Sequence, residues 1–440
     1  MPHKNSPSEI SRRKALKLIV GGTLGVLSGC AINPVTGQQQ LMLVSQQQEV
    51  QMDQQNSPHQ FSADYGSVQD AKLNQYVSNV GQSLALASHR PDMPYNFRCV
   101  NANYVNAYAF PGGSIACTRG IMLKLENEAE LAALMGHEVG HVSARHTASR
   151  MSSTMATQGL LAVGVGVLAT QNADLVPLAA GLGGIGAGLL LASYSRSDER
   201  QADSLGMNYM DNAGYDPEGM VGLMDELNKL HKSDPSFVQQ MFASHPMSTE
   251  RYDTAVNKRA TTYAGNKGKL LRERYMDNIA SIRKIAPAIE EMQKGEESMQ
   301  KKAFANAEEH FSNALRIAPN DYAGLLLMSK CKLAQNKKGE GLQYAERAKD
   351  AYPSEAQALH LSGMLNLDSK RYNRALADFD EYDKKLPGNP MTTFFKGVSY
   401  EALGNRDMAA NEYSRFLQVN RQGDYAKYAY SRLSSWGYLR

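Results

Sequence analysis

Residues Asn127–Ser143 read NEAELAALMGHEVGHVS in one-letter code. This segment predicts a helix, because Asn127 is a suitable N-cap and Glu130 follows three residues later. His137 and His141 are four residues apart, so their imidazoles project from one helix face about one turn apart. The apolar stripe that would bury another face consists of Leu131, Leu134, Met135 and Val142.

The spacing of these two histidines is typical of a zinc site. Two imidazoles one turn apart can bind a single zinc ion, and Glu138 lies close enough to act as general base toward water. The alternative is a solvated helix with two surface histidines. The apolar stripe and the companion motifs described next disfavour it.

A third ligand is predicted further along the chain. A catalytic zinc keeps three protein ligands and one open position, and two histidines with one glutamate form a known set. Glu199 is the candidate, with Asp198 as its competitor for the same role. Asp203 is one helical turn after Glu199 and can accept the N–H of a ligating imidazole, which would fix the tautomer of that ring.

Two other segments suit a peptidase. We interpret Asn96–Thr118 as two strands around the turn Pro111-Gly112-Gly113, and an edge strand there could hold an extended peptide by main-chain hydrogen bonds. The predicted substrate strand consists of Ser114, Ile115, Ala116 and Cys117. His245, followed by Pro246, and Arg251 are candidates for stabilising an oxyanion; the alternative for His245 is an ordinary loop histidine.

These motifs occur in the order seen in one family. The chain resembles the zinc metallopeptidases of the HtpX and CAAX prenyl endopeptidase family over about residues 30–260, and most resembles its periplasmic lipoprotein, BepA-like branch. The motifs are Asn106–Ser114, His137–His141, Glu199 with Asp203, and His245-Pro246 with Arg251.

The resemblance implies a fold and a set of roles. The expected fold is an α+β zincin-type (gluzincin) domain, mostly helical with a small sheet. His137, His141 and Glu199 would be the zinc ligands, Glu138 the catalytic base and Asp203 a supporting acid. His245 would be able to approach the zinc and restrain activity. The branch acts in quality control of outer-membrane protein assembly.

The N-terminus is interpreted as an export signal. Ser11–Lys17 is basic, Leu18–Leu27 is an apolar core too short to span a bilayer, and Leu27-Ser28-Gly29-Cys30 resembles a bacterial lipoprotein cleavage box. The resemblance implies lipidation of Cys30, and Ala31 after it favours the outer membrane. The paired arginines also resemble a twin-arginine signal, although Ala15 stands where an aromatic residue is usual, so the export route stays open.

The remaining cysteines are Cys99, Cys117 and Cys331. A hairpin could bring Cys99 and Cys117 together, and an oxidising compartment permits a disulfide between them. The alternative is two small buried hydrophobic residues. Cys331 is expected to be a packing residue of the C-terminal region.

The interval between the two zinc-binding motifs is apolar. Gly159–Ala192 is interrupted by Gln171–Asp174 and contains Pro177. A single membrane span would place Glu199 on the opposite side from the histidines, which a shared zinc forbids. We therefore expect a packed helical hairpin near the cleft that could touch lipid.

The C-terminal third repeats with a period of 34 residues. Pro319, Pro353 and Pro387 are 34 residues apart, and small and aromatic residues recur in the same register. This pattern predicts an all-α tetratricopeptide-repeat solenoid of about four units, in which stacked helix pairs bury a continuous core. The register positions are Ala307, Gly341, Ala375 and Ala409; Phe311, Ala345, Phe379 and Tyr413; and Gly363 and Gly397.

Together these features predict five segments. They are a signal peptide (1–29), a tether with a first helix (30–62), a zinc metallopeptidase domain (63–265), a linker helix (266–294) and the repeats (295–440). The net charge of +3 and the absence of a basic stripe disfavour nucleic acid as a partner. We expect a zinc endopeptidase, anchored by lipid on the periplasmic face, that cleaves unfolded or outer-membrane proteins and docks on assembly machinery through its repeats. The alternative is a repeat-based chaperone scaffold with little proteolytic activity.

Overall fold

The computed structural model describes residues 30–158, 193–233 and 235–439. The predicted signal peptide and the apolar interval Gly159–Ala192 lie outside the described residues. Cys30 is the first described residue, and its backbone begins the first strand.

The N-terminal segment is more structured than a tether. Strands β1 (Cys30–Ile32) and β2 (Gln39–Leu41) form an antiparallel pair that the sequence analysis did not predict. Helix α1 (Gln46–Ala63) follows, and it begins with a capping box in which the side chains of Ser45 and Gln48 each accept a hydrogen bond from the other's backbone N–H. The next helix is α2 (Ala71–Leu86), with Asp70 as its N-cap.

The central sheet has three strands, β3 (Asn96–Val100), β4 (Ala107–Ala109) and β5 (Ser114–Thr118), in the order β3-β5-β4. β5 pairs in parallel with β3 and antiparallel with β4. The prediction that Ser114–Cys117 forms an edge strand is therefore wrong. The physical reason is that the short strand β4, which lies before the Pro111-Gly112-Gly113 turn, folds back onto one side of β5 while β3 pairs with the other.

Cys99 and Cys117 are direct neighbours across the sheet, but through a parallel pair and not through a hairpin. Both thiols are buried and free, so the possible disulfide is not formed. A hydrogen bond with the Cys99 thiol and burial hold the pKa of the Cys117 thiol well above its ordinary value. Cys331 is also free and buried, as expected for a packing residue.

One helix, α4, lies at the centre of the first domain and is buried along its whole length. It begins after Asn127, whose side chain accepts from the Glu130 N–H at 3.0 Å, as predicted. No helix within the described ranges is long and apolar enough to cross a membrane. The helices of this part are α3 (Arg119–Met122), α4 (Glu128–Ser143), α5 (His146–Gln158), α6 (Arg196–Asn212), α7 (Glu218–Ser233), α8 (Pro235–Ser244), α9 (Thr249–Ala260), α10 (Arg272–Asn278) and α11 (Ala280–Lys284).

The C-terminal part is a solenoid of helix pairs. The 34-residue register has a direct structural meaning, because a small residue in the first helix of a pair faces an aromatic ring in the second: Gly295 faces Phe311, and Gly363 faces Phe379. The predicted fold class is confirmed. The pairs are α12 (Ala286–Gln300) with α13 (Phe304–Ile317), α14 (Tyr322–Ala334) with α15 (Lys338–Ala351), α16 (Gln357–Asp368) with α17 (Tyr372–Lys385), and α18 (Pro390–Ala402) with α19 (Arg406–Val419), followed by α20 (Asp424–Ser435).

The solenoid contacts the first domain through a buried ion pair. Arg119, directly after β5, is 1% exposed, and its Nη1 lies 2.6 Å from Oδ2 of Asp321, the N-cap of α14. The same guanidinium donates to Asn103 Oδ1. A second contact joins the end of α1 to the α15–α16 connection, where Gln357 Nε2 donates to the Ser62 carbonyl at 3.1 Å.

The register predicts a stability difference between two glycines. Gly363→Ala would place a Cβ 2.5 Å from the Phe379 ring, whereas a Cβ on Gly339, also helical, meets nothing within 4 Å. We expect Gly363→Ala to lower the free energy of unfolding of the repeats by about 1–3 kcal/mol. Gly339→Ala should be neutral or stabilising by up to ~1 kcal/mol. Urea unfolding followed by circular dichroism measures both, and equal stabilities would contradict the packing register.

Candidate metal centre

Helices α4 and α6 approach each other closely enough for backbone contact. A Cβ on Gly140 would lie 3.0 Å from the Ala202 carbonyl oxygen, and one on Gly136 would lie 3.2 Å from the Gly206 carbonyl oxygen. Glycine suits these positions, because even a Cβ there would be a tight contact with the backbone of the other helix. The approach places the His137 and His141 side chains of α4 against the acidic residues of α6.

Four buried side chains converge at this contact. His137, His141, Glu199 and His245 each offer one donor atom, and these atoms all lie within 4.8 Å of one another. The Nε2 atoms of His137 and His141 are 3.0 Å apart, and His137 Nε2 lies 3.3 Å from His245 Nδ1. Glu199 lies 3.4 Å from His141 and 3.1 Å from His245 through the same oxygen, Oε1.

These separations fit a tetrahedral metal ion. Ligand atoms about 2.0–2.1 Å from a zinc ion lie about 3.3 Å from one another at the corners of a tetrahedron. The donor–donor distances named above, 3.0–3.4 Å, fall around that value. Neutral imidazole nitrogens and one carboxylate oxygen are also the donor types that zinc prefers.

Two residues support the donors from behind. Asp203 Oδ1 lies 2.9 Å from His137 Nδ1, the ring atom that faces away from the cluster. Arg251 contacts both acids of α6: its Nη1 lies 2.6 Å from Glu199 Oε2, and its Nε lies 2.7 Å from Asp203 Oδ2. Because Nη1 also donates to the Pro246 carbonyl, the Arg251 guanidinium is engaged with the ligand set and does not face an open cleft.

Glu138 differs from the other acids. Its side chain is fully buried, and neither carboxylate oxygen has a hydrogen-bond partner among the described residues. His245 Nε2 lies 3.7 Å from Glu138 Oε1, beyond hydrogen-bond distance. Burial raises the pKa of Glu138, against the opposing charges of His245 and His137. A buried carboxylate without partners is costly for stability and points to a chemical role.

The surroundings favour the neutral form of His141 and the carboxylate forms of Asp203 and Glu199. Burial lowers the pKa of His141 well below its ordinary value, so this imidazole is neutral. Burial alone would raise the pKa of Asp203, but hydrogen bonds from His137 and Arg251 outweigh burial and lower the pKa below its ordinary value. This side chain is therefore a carboxylate. The pKa of Glu199 is lowered in the same way, because the charges of His245 and His137 outweigh its burial.

The first turn of α6 distinguishes the two candidates for the carboxylate donor. Asp198 is the capping-box partner of Ser195 and remains about one-third exposed, outside the donor cluster. Glu199, the next residue, is fully buried and points into the cluster. His245 lies in the cluster because it ends the turn after α8, where its N–H bonds to the Met241 carbonyl.

Two neighbours of His141 were missed by the sequence analysis. The Tyr194 ring stacks on the His141 ring with centroids 3.8 Å apart. His146 Nδ1 lies 2.9 Å from His141 Nδ1. No sequence pattern pointed to Tyr194. His146, however, follows His141 by only five residues and begins the next helix, so a contact between the two histidines could have been predicted.

Comparisons with known proteins agree with this geometry. The model of "Peptidase family M48" matches residues 71–259. The "Beta-barrel assembly-enhancing protease" of Yersinia pestis is 29% identical over 198 residues, which cover 43% of this chain and 40% of that protein. The "Metalloprotease YcaL" of Escherichia coli is 30% identical over 189 residues, which cover 43% of this chain and 72% of that protein.

Among solved structures, the tetratricopeptide repeat protein YrrB overlays on this chain with a TM-score of 0.32 and 16% sequence identity, covering 47% of this chain and 97% of that one.

The donor cluster on α4 and α6 falls inside the matched residues, and the match to YcaL covers most of that relative's length. The chain therefore belongs to peptidase family M48, a family of metal-dependent peptidases.

Proposed function

We propose that this protein is a zinc-dependent endopeptidase of the cell envelope, with His137, His141 and Glu199 as zinc ligands and Glu138 as general base. The observation that carries the proposal is the four-donor cluster beside a buried carboxylate that has no partner among the described residues.

The role of each residue follows from its contacts. A bound zinc ion would polarise the scissile carbonyl group and lower the pKa of a water molecule. The free oxygens of Glu138 can accept a proton from that water and deliver it to the leaving amine. Asp203 accepts from His137 Nδ1 and so keeps Nε2 available as a ligand, while Arg251 fixes the carboxylates of Glu199 and Asp203.

His245 is proposed to restrain activity at rest. Its Nδ1 completes the four-donor set, and a catalytic zinc needs one position open for water. A side chain in that position excludes the nucleophile until substrate or a partner displaces it. The competing role is oxyanion stabilisation, in which His245 would face the substrate.

The substrate is proposed to be an extended peptide lying along β4. The order β3-β5-β4 leaves β4 as the sheet edge, and it continues into Phe110 and Pro111. Ala109 and Phe110 of this edge line one narrow crevice together with His141 and Tyr194, so the edge lies beside the donor cluster. Main-chain pairing at such an edge would permit many sequences.

The repeats are proposed to bind protein, either a substrate or a partner. They are joined to the peptidase domain through the Arg119–Asp321 ion pair, so a protein held by the solenoid stays close to the sheet. The name of the Yersinia pestis relative suggests that the clients are unfolded or outer-membrane proteins and that the partner is their assembly machinery. The lipid anchor at Cys30 would place the protein on the periplasmic face of the outer membrane.

A second candidate function is a chaperone scaffold with little proteolysis. The solenoid favours it, since such repeats bind protein in the absence of any catalytic site. The intact Glu138 beside the donor cluster favours the peptidase instead.

The catalytic proposal predicts that metal binding and activity are separable. Glu138→Gln should retain one zinc per chain and lose cleavage of an unfolded protein by at least 10²-fold, because the base is removed and the ligands are intact. His137→Ala should lose most of the zinc. Metal analysis and a cleavage assay measure both, with Glu218→Gln on an exposed helix start as the matched control. Stoichiometric zinc in His137→Ala would contradict the ligand assignment, and full activity in Glu138→Gln would favour the scaffold.

If His245 restrains activity, its removal should raise the cleavage rate, whereas an oxyanion-stabilising role predicts a lower rate. His245→Ala should raise basal cleavage, including self-cleavage, without loss of zinc, because water gains access to the fourth position. An oxyanion role would instead lower the rate by roughly 10²–10³-fold. The exposed His231→Ala is the control for loss of a histidine outside the cluster.

The anchor proposal predicts release from membranes. Cys30→Ser should move the protein to the soluble fraction, since acyl chains supply about 0.8 kcal/mol of binding per buried CH₂. Fractionation after a high-salt wash measures this. If the variant stays with the membrane, the apolar interval Gly159–Ala192 is the anchor instead.

A further inference from the structure

His146 lies behind the donor cluster, on the side of His141 that faces away from it. Its Nδ1 is 2.9 Å from His141 Nδ1, and its Nε2 is 2.9 Å from Gln201 Oε1. The His146 side chain is 5% exposed, so neither ring nitrogen is freely hydrated. Neither His146 nor Gln201 has a role in the function proposed above.

The position of each proton follows from these contacts. His141 directs Nε2 into the cluster, 3.0 Å from His137 Nε2. A neutral histidine that offers the Nε2 lone pair carries its proton on Nδ1. His146 Nδ1 must therefore accept that N–H, which leaves the proton of His146 on Nε2. That N–H in turn donates to Gln201 Oε1, so both contacts of His146 have one donor and one acceptor.

The backbone at Arg145 places the ring in this position. α4 ends at Ser143 and α5 begins at His146, so the chain reverses within two residues. Arg145 adopts a φ of 60°, a left-handed conformation that is uncommon for a residue with a side chain. The buried Glu49 holds the Arg145 guanidinium, with Oε1 3.1 Å from Nε, and this contact helps to hold the reversal.

We propose that His146 is a positioning residue for the metal: it accepts the Nδ1–H of His141 and so fixes that ligand's tautomer and ring orientation, while Gln201 fixes His146. This inference rests on the proposed zinc site. Asp203 makes the corresponding contact with His137. α6 thus supports all three ligands, by Glu199 directly, by Asp203 for His137, and by Gln201 through His146 for His141.

Two substitutions of similar size separate this role from simple packing. The amide of Asn reaches the position of a histidine Nδ1, so His146→Asn retains an acceptor for His141. The longer Gln reaches the position of Nε2, so His146→Gln retains a contact with Gln201 but offers His141 no acceptor. We expect zinc affinity of the full chain, measured by competition with a chelator, to fall about 10–100-fold in His146→Gln. In His146→Asn it should stay within about threefold of the parent.

A second readout reports on the tautomer itself. In the zinc-loaded parent and in His146→Asn, the Nδ1–H of His141 should give a slowly exchanging imidazole proton signal in ¹⁵N-edited NMR. In His146→Gln that signal should shift and exchange faster. Circular dichroism of the metal-free proteins shows whether each variant is folded.

The outcomes decide between the proposals. If both variants bind zinc like the parent, or both lose affinity equally, His146 has no specific acceptor role and the inference is wrong. If neither variant folds, Gln201→Leu decides, because its side chain is partly exposed: unchanged zinc affinity there would also overturn the inference. If the parent itself binds no zinc, the proposed function fails, which is a different result from a failure of His146 alone.

Discussion

The site depends on how closely two helices can approach. Gly136 and Gly140 on α4 meet Ala202 and Gly206 on α6 with no side chain between the backbones. Only at that separation do imidazoles from one helix and a carboxylate from the other reach a common point with donor atoms 3.0–3.5 Å apart. Each of these glycines weakens its helix by about 1 kcal/mol relative to alanine. The buried core around α4 has to offset that loss, so the geometry of the site depends on the packing of the whole domain.

Charge is the second constraint on this core. The carboxylates of Glu138, Glu199 and Asp203 are all buried beside α4. Arg251 contacts Glu199 and Asp203 but is not engaged with Glu138. Burying charge without compensation is costly, and a site that concentrates negative charge around neutral imidazoles is suited to a cation. The orientation of Arg251 away from the cleft follows from the same balance: its charge is already used within the ligand set.

Much of this organisation was open to prediction from local patterns, and the exceptions have a common cause. The α4 cap, the histidine spacing and the 34-residue repeat depend on residues close in sequence, and the structure contains all three. β5 is the central strand because β4 pairs with one side of it. β4 is only three residues long and has no strong sequence pattern, so this pairing could not be predicted from the residues of β4 alone. The contacts that Tyr194 and Gln201 make with His141 and His146 arise from the packing of α6 and the residues before it against α4, and no local spacing in the sequence predicts that packing. Whether the donor residues bind zinc and perform the proposed roles stays a prediction.

The same core also determines where the repeats lie. Glu128, in the first turn of α4, accepts hydrogen bonds from Tyr76 and Tyr215 and pairs with Arg274 of α10, which leads toward the solenoid. Arg119, at the end of β5, pairs with Asp321 of α14. The Glu128 contacts lie within the first domain, whereas the Arg119–Asp321 pair joins that domain to the C-terminal part. Both side chains of this pair are buried, so removing the Asp321 carboxylate alone would leave a buried guanidinium without its partner, at a cost of about 3–5 kcal/mol. The repeats are thus joined to the first domain at the end of β5, the central strand of its sheet and the element that precedes α3 and α4, so the same sheet supports both the donor-bearing helix and the solenoid.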